Sequence, residues 1–338
     1  MVFLREGLCP GLTEEVIQAL RTQEIRTVED LVSSELEELA QKCSISYKAL
    51  VAIRRVLLTQ HTGFPVSGAD LYEELLSSMA ILSTGNESLD VLLDAGLYTG
   101  EVTELAGGPG SGKTQVCLGV AVHISCVLKR SVLYIDTNGG LSASRLLQMV
   151  QSKTSNMEEQ VEALNRILVC WVFDVFSLLE TLHSLRSGGL EQASVRNGPI
   201  RAVIVDSVTA VLSHMLGGRQ TEGMSLMMQV AGALRLIAKD LNVAILVTNH
   251  VTKDGNGVLK AGLGQSWSHV PRTRVLLQRV DGPQAQRSGL RWATLLKSSR
   301  QPCHQKQQFD LGSGGQPADS HPDHLQRMEQ EDVFKHDS

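Results

Sequence analysis

The run Gly107-Gly108-Pro109-Gly110-Ser111-Gly112-Lys113-Thr114 satisfies the pattern G-x-x-x-x-G-K-[ST]. Each residue type in it has a physical task. Glycines let the backbone wrap so that successive N–H groups converge on phosphate oxygens. The positive end of the following helix adds to that attraction. Lys113 is placed to reach the β- and γ-phosphates of a nucleotide, and the Thr114 hydroxyl to ligate Mg2+. The bland alternative is a glycine-rich turn with an incidental lysine. Against it stands the context, an apolar strand before ("EVTELAG", 101–107) and a helical stretch after (113–128).

Two further stretches fit that chemistry. "RAVIVDS" (201–207) reads as an apolar strand ending in Asp206, a carboxylate that would hold Mg2+ through water. "LYIDTNGG" (133–140) reads as a buried strand entering a turn. In many ATPases such a strand end carries a glutamate that activates water, and here Asn138 stands in its place. An amide can orient a water through its carbonyl but cannot take its proton at neutral pH. The expectation is therefore ATP and Mg2+ binding with slow hydrolysis. An ordinary Asn-Gly turn remains the competing reading of Asn138. "TNHVTKD" lacks the N-K-x-D spacing of a GTPase, and "LGGRQ" (216–220) follows Asp206 where a transporter motif would precede it.

The elements that must position these residues alternate. Strands are predicted at 101–107, 131–136, 166–173, 200–207 and 243–250, with helices between them. Apolar strands alternating with helices imply an α/β core with a mostly parallel sheet covered on both faces. "TRVLLQRV" and "LRWATLLKS" lack an intervening helix and are expected to end the sheet as antiparallel edges. Residues 1–60 read as a small all-α module resembling a helix-hairpin-helix bundle, with capping-box spacing at Thr27/Asp30 and Ser34/Glu37. Its role is either DNA contact or protein docking, or it is a plain helical cap. Residues 61–79 form a linker with a short helix, 80–311 the core, and 312–338 a polar tail expected to be disordered.

The formal net charge of −5 hides an asymmetry. Residues 56–112 hold eight acids and no Lys or Arg, whereas 272–306 hold eight bases and one acid. The basic block suggests a polyanion partner. Six dispersed cysteines without a C-x-x-C pair point to a reducing compartment. The first ten residues lack a signal-peptide core, and no apolar run reaches the roughly 20 residues that span a bilayer.

Residues 81–115, "ILSTGNESLDVLLDAGLYTGEVTELAGGPGSGKTQ", closely resemble the core entry of RecA-type recombinases, with Gln115 as in the eukaryotic members. "VLYIDTNGGLSASRL", "VIVDSVTAV" and "ILVTNHV" resemble the next segments of that family, whose first segment carries glutamate at the place of Asn138. The resemblance covers about residues 1–310. It implies a RecA-type ATPase core, nucleotide contacts from 107–115 and Arg145, and head-to-tail packing with ATP between protomers. It also implies a γ-phosphate switch at Asn249 and His250, and single-stranded DNA binding by two loops, 214–223 (Arg219) and 252–267 (Lys253, Lys260). Trp267 is either a base-stacking residue or a core aromatic. Phe64 resembles a linker aromatic that docks on a neighbour, although the family pattern F-x-x-A has Ser67 at its last place. Lys297 and Arg300 lie where the family reaches the neighbouring nucleotide, and the competing reading is a solvated or DNA-facing patch. Ser142 and Ser144 replace charged family residues. The expected protein is a nuclear accessory factor of homologous recombination repair. It would bind ATP and single-stranded DNA in a hetero-oligomer with other recombinase paralogues, and promote or stabilise a recombinase filament. The rival is an ATP-binding scaffold whose partners contact the DNA.

Overall fold

The computed structural model describes residues 3–61, 67–69, 71–73, 79–187, 198–216, 220–253, 259–280 and 289–311. The chain divides into two compact units, 1–76 and 77–338.

The first unit holds helices α1 (Glu14–Arg21), α2 (Val28–Ser33), α3 (Leu36–Cys43) and α4 (Tyr47–His61). Helices this short are marginal alone. They are held by a shared core that includes Ile17, Leu20, Leu31, Leu39, Leu50, Ile53 and Leu57. The capping box at Thr27 and Asp30 is present in both halves. The one expected at Ser34 is not. Glu35 is the N-cap of α3, and the Ser34 hydroxyl instead donates back to the carbonyls of Asp30 (2.8 Å) and Leu31 (3.0 Å). The last carbonyls of α2 need a donor as much as the first amides of α3 need an acceptor.

The second unit opens with a two-strand ribbon, β1 (Ile81–Leu82) and β2 (Leu97–Tyr98), around α5 (Glu87–Leu92). The main sheet and its helices then follow in chain order as β3 (Val102–Gly107), α6 (Lys113–Cys126), β4 (Ser131–Asp136), α7 (Ala143–Gln151), α8 (Met157–Asn165) and β5 (Ile167–Trp171). Next come α9 (Val175–Arg186), β6 (Ile200–Asp206), α10 (Val208–Leu216), α11 (Gln220–Asp240) and β7 (Ala244–Asn249). A small hairpin, β8 (Val251–Lys253) and β9 (Leu259–Ala261), and α12 (Gly264–Ser268) lead to β10 (Thr273–Arg279), β11 (Leu290–Lys297) and β12 (Lys306–Asp310).

The order across the sheet is β12-β11-β10-β3-β7-β6-β4-β5. From β10 to β5 every pairing is parallel, and β11 and β12 are antiparallel edges, as expected from the missing helices. Side chains of a strand alternate between faces. Val132, Tyr134, Ile204 and Leu246 pack with α6, whereas Leu133, Ile135, Val205 and Val247 pack with α9, α10 and α11. Both faces are covered, which is why the strands read as unbroken apolar runs. Helices α8 and α10 and strand β12 were not expected from the sequence. Helix α10 and the start of α11 also correct the first expected DNA loop, since most of 214–223 is helical.

Candidate nucleotide site

The ends of the parallel strands bring the site together. Registers pair Ala106 with Asn249, Gly107 with Leu277 and Asp136 with Asp206. The phosphate loop, Asn249, His250, Asp206 and Asn138 therefore share the carboxyl edge of the sheet, where open parallel sheets bind ligands.

Lys113, 9% exposed, donates from Nζ to the carbonyls of Gly107 (2.7 Å) and Gly108 (3.1 Å). Burial lowers its pKa, and the charge of Asp206 opposes that shift. The Ser111 N–H closes on the Gly108 carbonyl at 3.2 Å, and the buried Ser111 Oγ has no hydrogen-bond partner. A Cβ on Gly107 would lie 2.3 Å from that Oγ and 2.8 Å from the Leu277 carbonyl, so the strand can enter the loop only as glycine. A buried ammonium resting on carbonyls and an orphaned hydroxyl beside it together fit an anion with several acceptor oxygens. The residues present fit the phosphates of a nucleotide.

Asp206 is 4% exposed and lies on the α6 side of the sheet. Its Oδ2 accepts from the Tyr134 hydroxyl at 3.0 Å, and Oδ1 accepts from the Thr248 hydroxyl. Burial pushes the Tyr134 phenol up, reinforced by Cys117 and Asp206, so Tyr134 stays a donor. Each Asp206 oxygen keeps a second lone pair, which suits a metal-bound water. Among the described residues no group of three or more His, Cys, Asp and Glu could hold a metal alone.

Asn138 is exposed at the end of β4. Its Nδ2 lies 3.4 Å from Ser207 Oγ, beside Asp206. Asp136 holds the turn by accepting from the N–H groups of Asn138, Gly140 and Leu141. The Asn-Gly turn is thus present, and it sets Asn138 at the site edge. Arg145 donates to Gln115 Oε1 at 3.0 Å and to Gln148 Oε1 at 2.7 Å. These residues, with Leu311, line a cavity of about 180 Å3 alongside α6, of a size for part of a nucleoside.

Asn249 is fully buried and joins several elements. Its Oδ1 accepts from Thr209 of α10 (2.7 Å), and its Nδ2 donates to Glu104 Oε1 (2.6 Å) and to the Gly262 carbonyl (3.1 Å). The His250 N–H donates to Thr209 Oγ1 at 3.1 Å. Burial lowers the His250 pKa, the Lys113 charge lowers it further, and Asp206 opposes, which puts all three in one electrostatic neighbourhood.

Glu104, by its position on β3, is not suited to stand in for a base at Asn138. It is 0% exposed and points to the opposite face of the sheet from Asp206. Asn249 and Trp267 Nε1 (3.0 Å) both bond its Oε1, and Arg274 bonds its Oε2. One carboxylate thus gathers the residues at both roots of the segment 250–267. Trp267 is 0% exposed, a core aromatic and not a base-stacking residue.

The charge asymmetry has an internal explanation. Strand β10 of the basic block lies beside β3 of the acidic block. Arg274 pairs with Glu104, while Arg272 and Arg300 pair with Glu101. Arg300 also covers the Tyr98 ring at 3.6 Å. Lys297 donates to the carbonyls of Ser268 (2.9 Å) and Pro271 (2.8 Å). Three of the block's eight bases therefore neutralise the chain's own acids. Lys297 pairs with Arg274 at the amino end of β10, away from this chain's phosphate loop. Lys260 is exposed on β9. Phe64, Arg219 and the side chain of Lys253 lie outside the described residues.

A family model described as Rad51 matches residues 76–288, and one described as RAD51D, N-terminal domain, matches residues 1–60. The chain belongs to the Rad51 family. Within the Rad51 family it is similar to the DNA repair protein RAD51 homolog 4 of Mus musculus, at 56% identity over 316 residues, 93% of this chain and 96% of the relative. The protein of that name in Bos taurus is 56% identical over 321 residues, 94% and 98% of the two chains. The DNA repair and recombination protein RadA of Aeropyrum pernix is 26% identical over 287 residues, 81% and 86% of the two chains. Among the described residues no helix is long and apolar enough to cross a membrane.

Proposed function

We propose that this Rad51-family chain is an ATP- and single-stranded-DNA-binding accessory factor of homologous recombination repair of double-strand breaks and crosslinks. It acts in the nucleus, in a head-to-tail hetero-oligomer of recombinase paralogues, and promotes or stabilises a recombinase filament. The observation that carries this reading is 56% identity, over nearly the whole of both chains, to relatives named DNA repair protein RAD51 homolog 4. The phosphate loop supports ATP as the ligand.

In this reading the N–H groups of Gly110, Ser111 and Gly112 bind the β-phosphate, and Lys113 leaves the carbonyls of Gly107 and Gly108 to reach the outer phosphates. Thr114 and Asp206 hold the Mg2+ side, with Tyr134 and Thr248 fixing the Asp206 carboxylate. Bound Mg2+ neutralises phosphate charge. Gln115 and Arg145 border the nucleoside. His250 senses the γ-phosphate, and Asn249 carries its position to α10 and to the root of the second loop. Asn138 orients a water without taking its proton, so hydrolysis is slow and the bound state serves assembly.

The scaffold reading, in which partners contact the DNA, is favoured by one observation, the internal pairing of Arg272, Arg274 and Arg300. Lys297 and Arg300 would reach a neighbour's γ-phosphate only by leaving those internal partners. Two measurements test the assignment. Lys113→Ala and Lys113→Arg should fail to complement cells lacking the protein after crosslink damage, and full complementation by both would remove the nucleotide from the function. Binding of the isolated chain to single-stranded DNA should weaken steeply with salt. A flat, weak response would favour the scaffold.

A further inference from the structure

The phosphate-loop pattern leaves position 110 open, yet glycine occupies it, and its backbone conformation gives the reason. Gly110 has φ +70°, in the left-handed region. A Cβ there would also lie 2.0 Å from Nη2 of Arg279. The Arg279 side chain donates from Nε to the Gly110 carbonyl at 3.0 Å. Val275 and Leu277 of β10 face α6, and alternation puts Arg279 on that same side, just past the core and beside the loop. Arg279 also sits directly opposite Arg291 on β11. Like charges in that position oppose each other. Burial lowers the Arg291 pKa, the Arg279 charge lowers it further, and Asp310 opposes. An anion bound at the neighbouring loop would relieve the repulsion.

We propose that Arg279 is a positioning residue of the phosphate loop, acting in cis through the Gly110 carbonyl. A trans peptide sets its carbonyl and the next N–H on opposite sides. Holding the Gly110 carbonyl on the outer side therefore keeps the Ser111 N–H on the inner side, where it donates to the Gly108 carbonyl at 3.2 Å in the empty loop and would turn to a phosphate oxygen when a nucleotide binds. The guanidinium adds a second positive charge near the β-phosphate beside that of Lys113 and does not itself touch the ligand. Nucleoside di- and triphosphates should feel it equally, because the β-phosphate is common to both. This inference rests on the nucleotide reading of the site.

The test uses the full chain, with Mg-ATP and Mg-ADP titrated by calorimetry into the parent, Arg279→Gln, Arg279→Lys and Lys113→Ala. Arg279→Gln, which keeps at most a neutral donor, should weaken ATP and ADP alike by roughly 10-fold, the low end for losing a hydrogen bond to a charged group. Arg279→Lys, which keeps the positive charge as well as a donor, should recover most of the loss. Arg279 is exposed, so the thermal midpoint should stay at the parent value. ATP binding by Arg279→Gln within twofold of the parent overturns the proposal. So does a loss confined to ATP, which would mean direct γ-phosphate contact, or a fall in midpoint that tracks the loss of binding. A parent that binds no ATP, or binding untouched by Lys113→Ala, refutes the nucleotide reading itself and the inference with it.

Discussion

Glu104→Gln separates two roles that a buried carboxylate near an ATP site can have. In the structure Glu104 is fully buried and bonded to Asn249, Trp267 and Arg274. The substitution keeps one carbonyl oxygen for Asn249 and Trp267. It turns an amide NH2 toward the Arg274 guanidinium, donor against donor, and removes the counter-ion of a buried cation. Arg274 Nη2 is already buried without a hydrogen-bond partner, so the residue has no spare acceptor there. Breaking a buried pair from one side costs about 3–5 kcal/mol. For a domain of this size that corresponds to a fall in midpoint of roughly 10 °C, at about 2–4 °C per kcal/mol. Thermal and urea unfolding followed by circular dichroism would measure it. Glu104→Gln combined with Arg274→Met should recover much of the loss, because the amide carbonyl still serves Asn249 and Trp267 and no buried cation is left unpaired. If Glu104→Gln keeps the parent midpoint and instead abolishes ATP hydrolysis, the structural role argued here is wrong and Glu104 acts as the base.

Two further outcomes follow from the site. Asn138→Glu places a carboxylate at the exposed end of β4, beside Ser207. Hydrolysis in the assembled complex should rise by about 10²-fold or more, the scale of general-base catalysis. A steady-state rate equal to the parent's would show that the base comes from elsewhere, such as a partner. His250 has a lowered pKa in the empty chain, so the neutral form is the folded one. Its contribution to stability is present above the unfolded value of about 6.5 and is lost as pH falls through the lowered folded value. A bound γ-phosphate raises that pKa, so ATP binding near pH 6 should take up protons. Calorimetry in buffers of different ionisation enthalpy reads this directly, and His250→Gln should abolish it. Identical apparent enthalpies for the parent in all buffers would remove His250 from the γ-phosphate.

Much of the site was legible because its chemistry is contiguous. The loop 107–114, the apolar strands on either side of it and the acid closing "RAVIVDS" each carry their physics within a few residues. Asn138 was readable in the same way, as an amide at a strand end. The parallel sheet with antiparallel edges followed from the presence or absence of a helix between successive strands. Helix α8 was missed because its stretch, "MEEQVEALN", is mostly polar and its apolar face is narrow. Helix α10 carries no separate signal because its apolar residues follow Asp206 almost directly and extend the apolar run of the strand.

The sequence alone therefore determined that the chain has a phosphate-binding loop on a covered α/β core, preceded by a small helical module. Only the tertiary structure decided which face of the sheet each polar residue takes and what it meets there. Glu104 and Asp206 are both acids on apolar strands. Alternation and strand order put the first under Trp267 and Arg274 and the second beside the loop. The same order set the acidic block next to the basic one and brought Arg279 to Gly110. Those contacts join residues far apart in the chain, and no local pattern encodes which strands become neighbours.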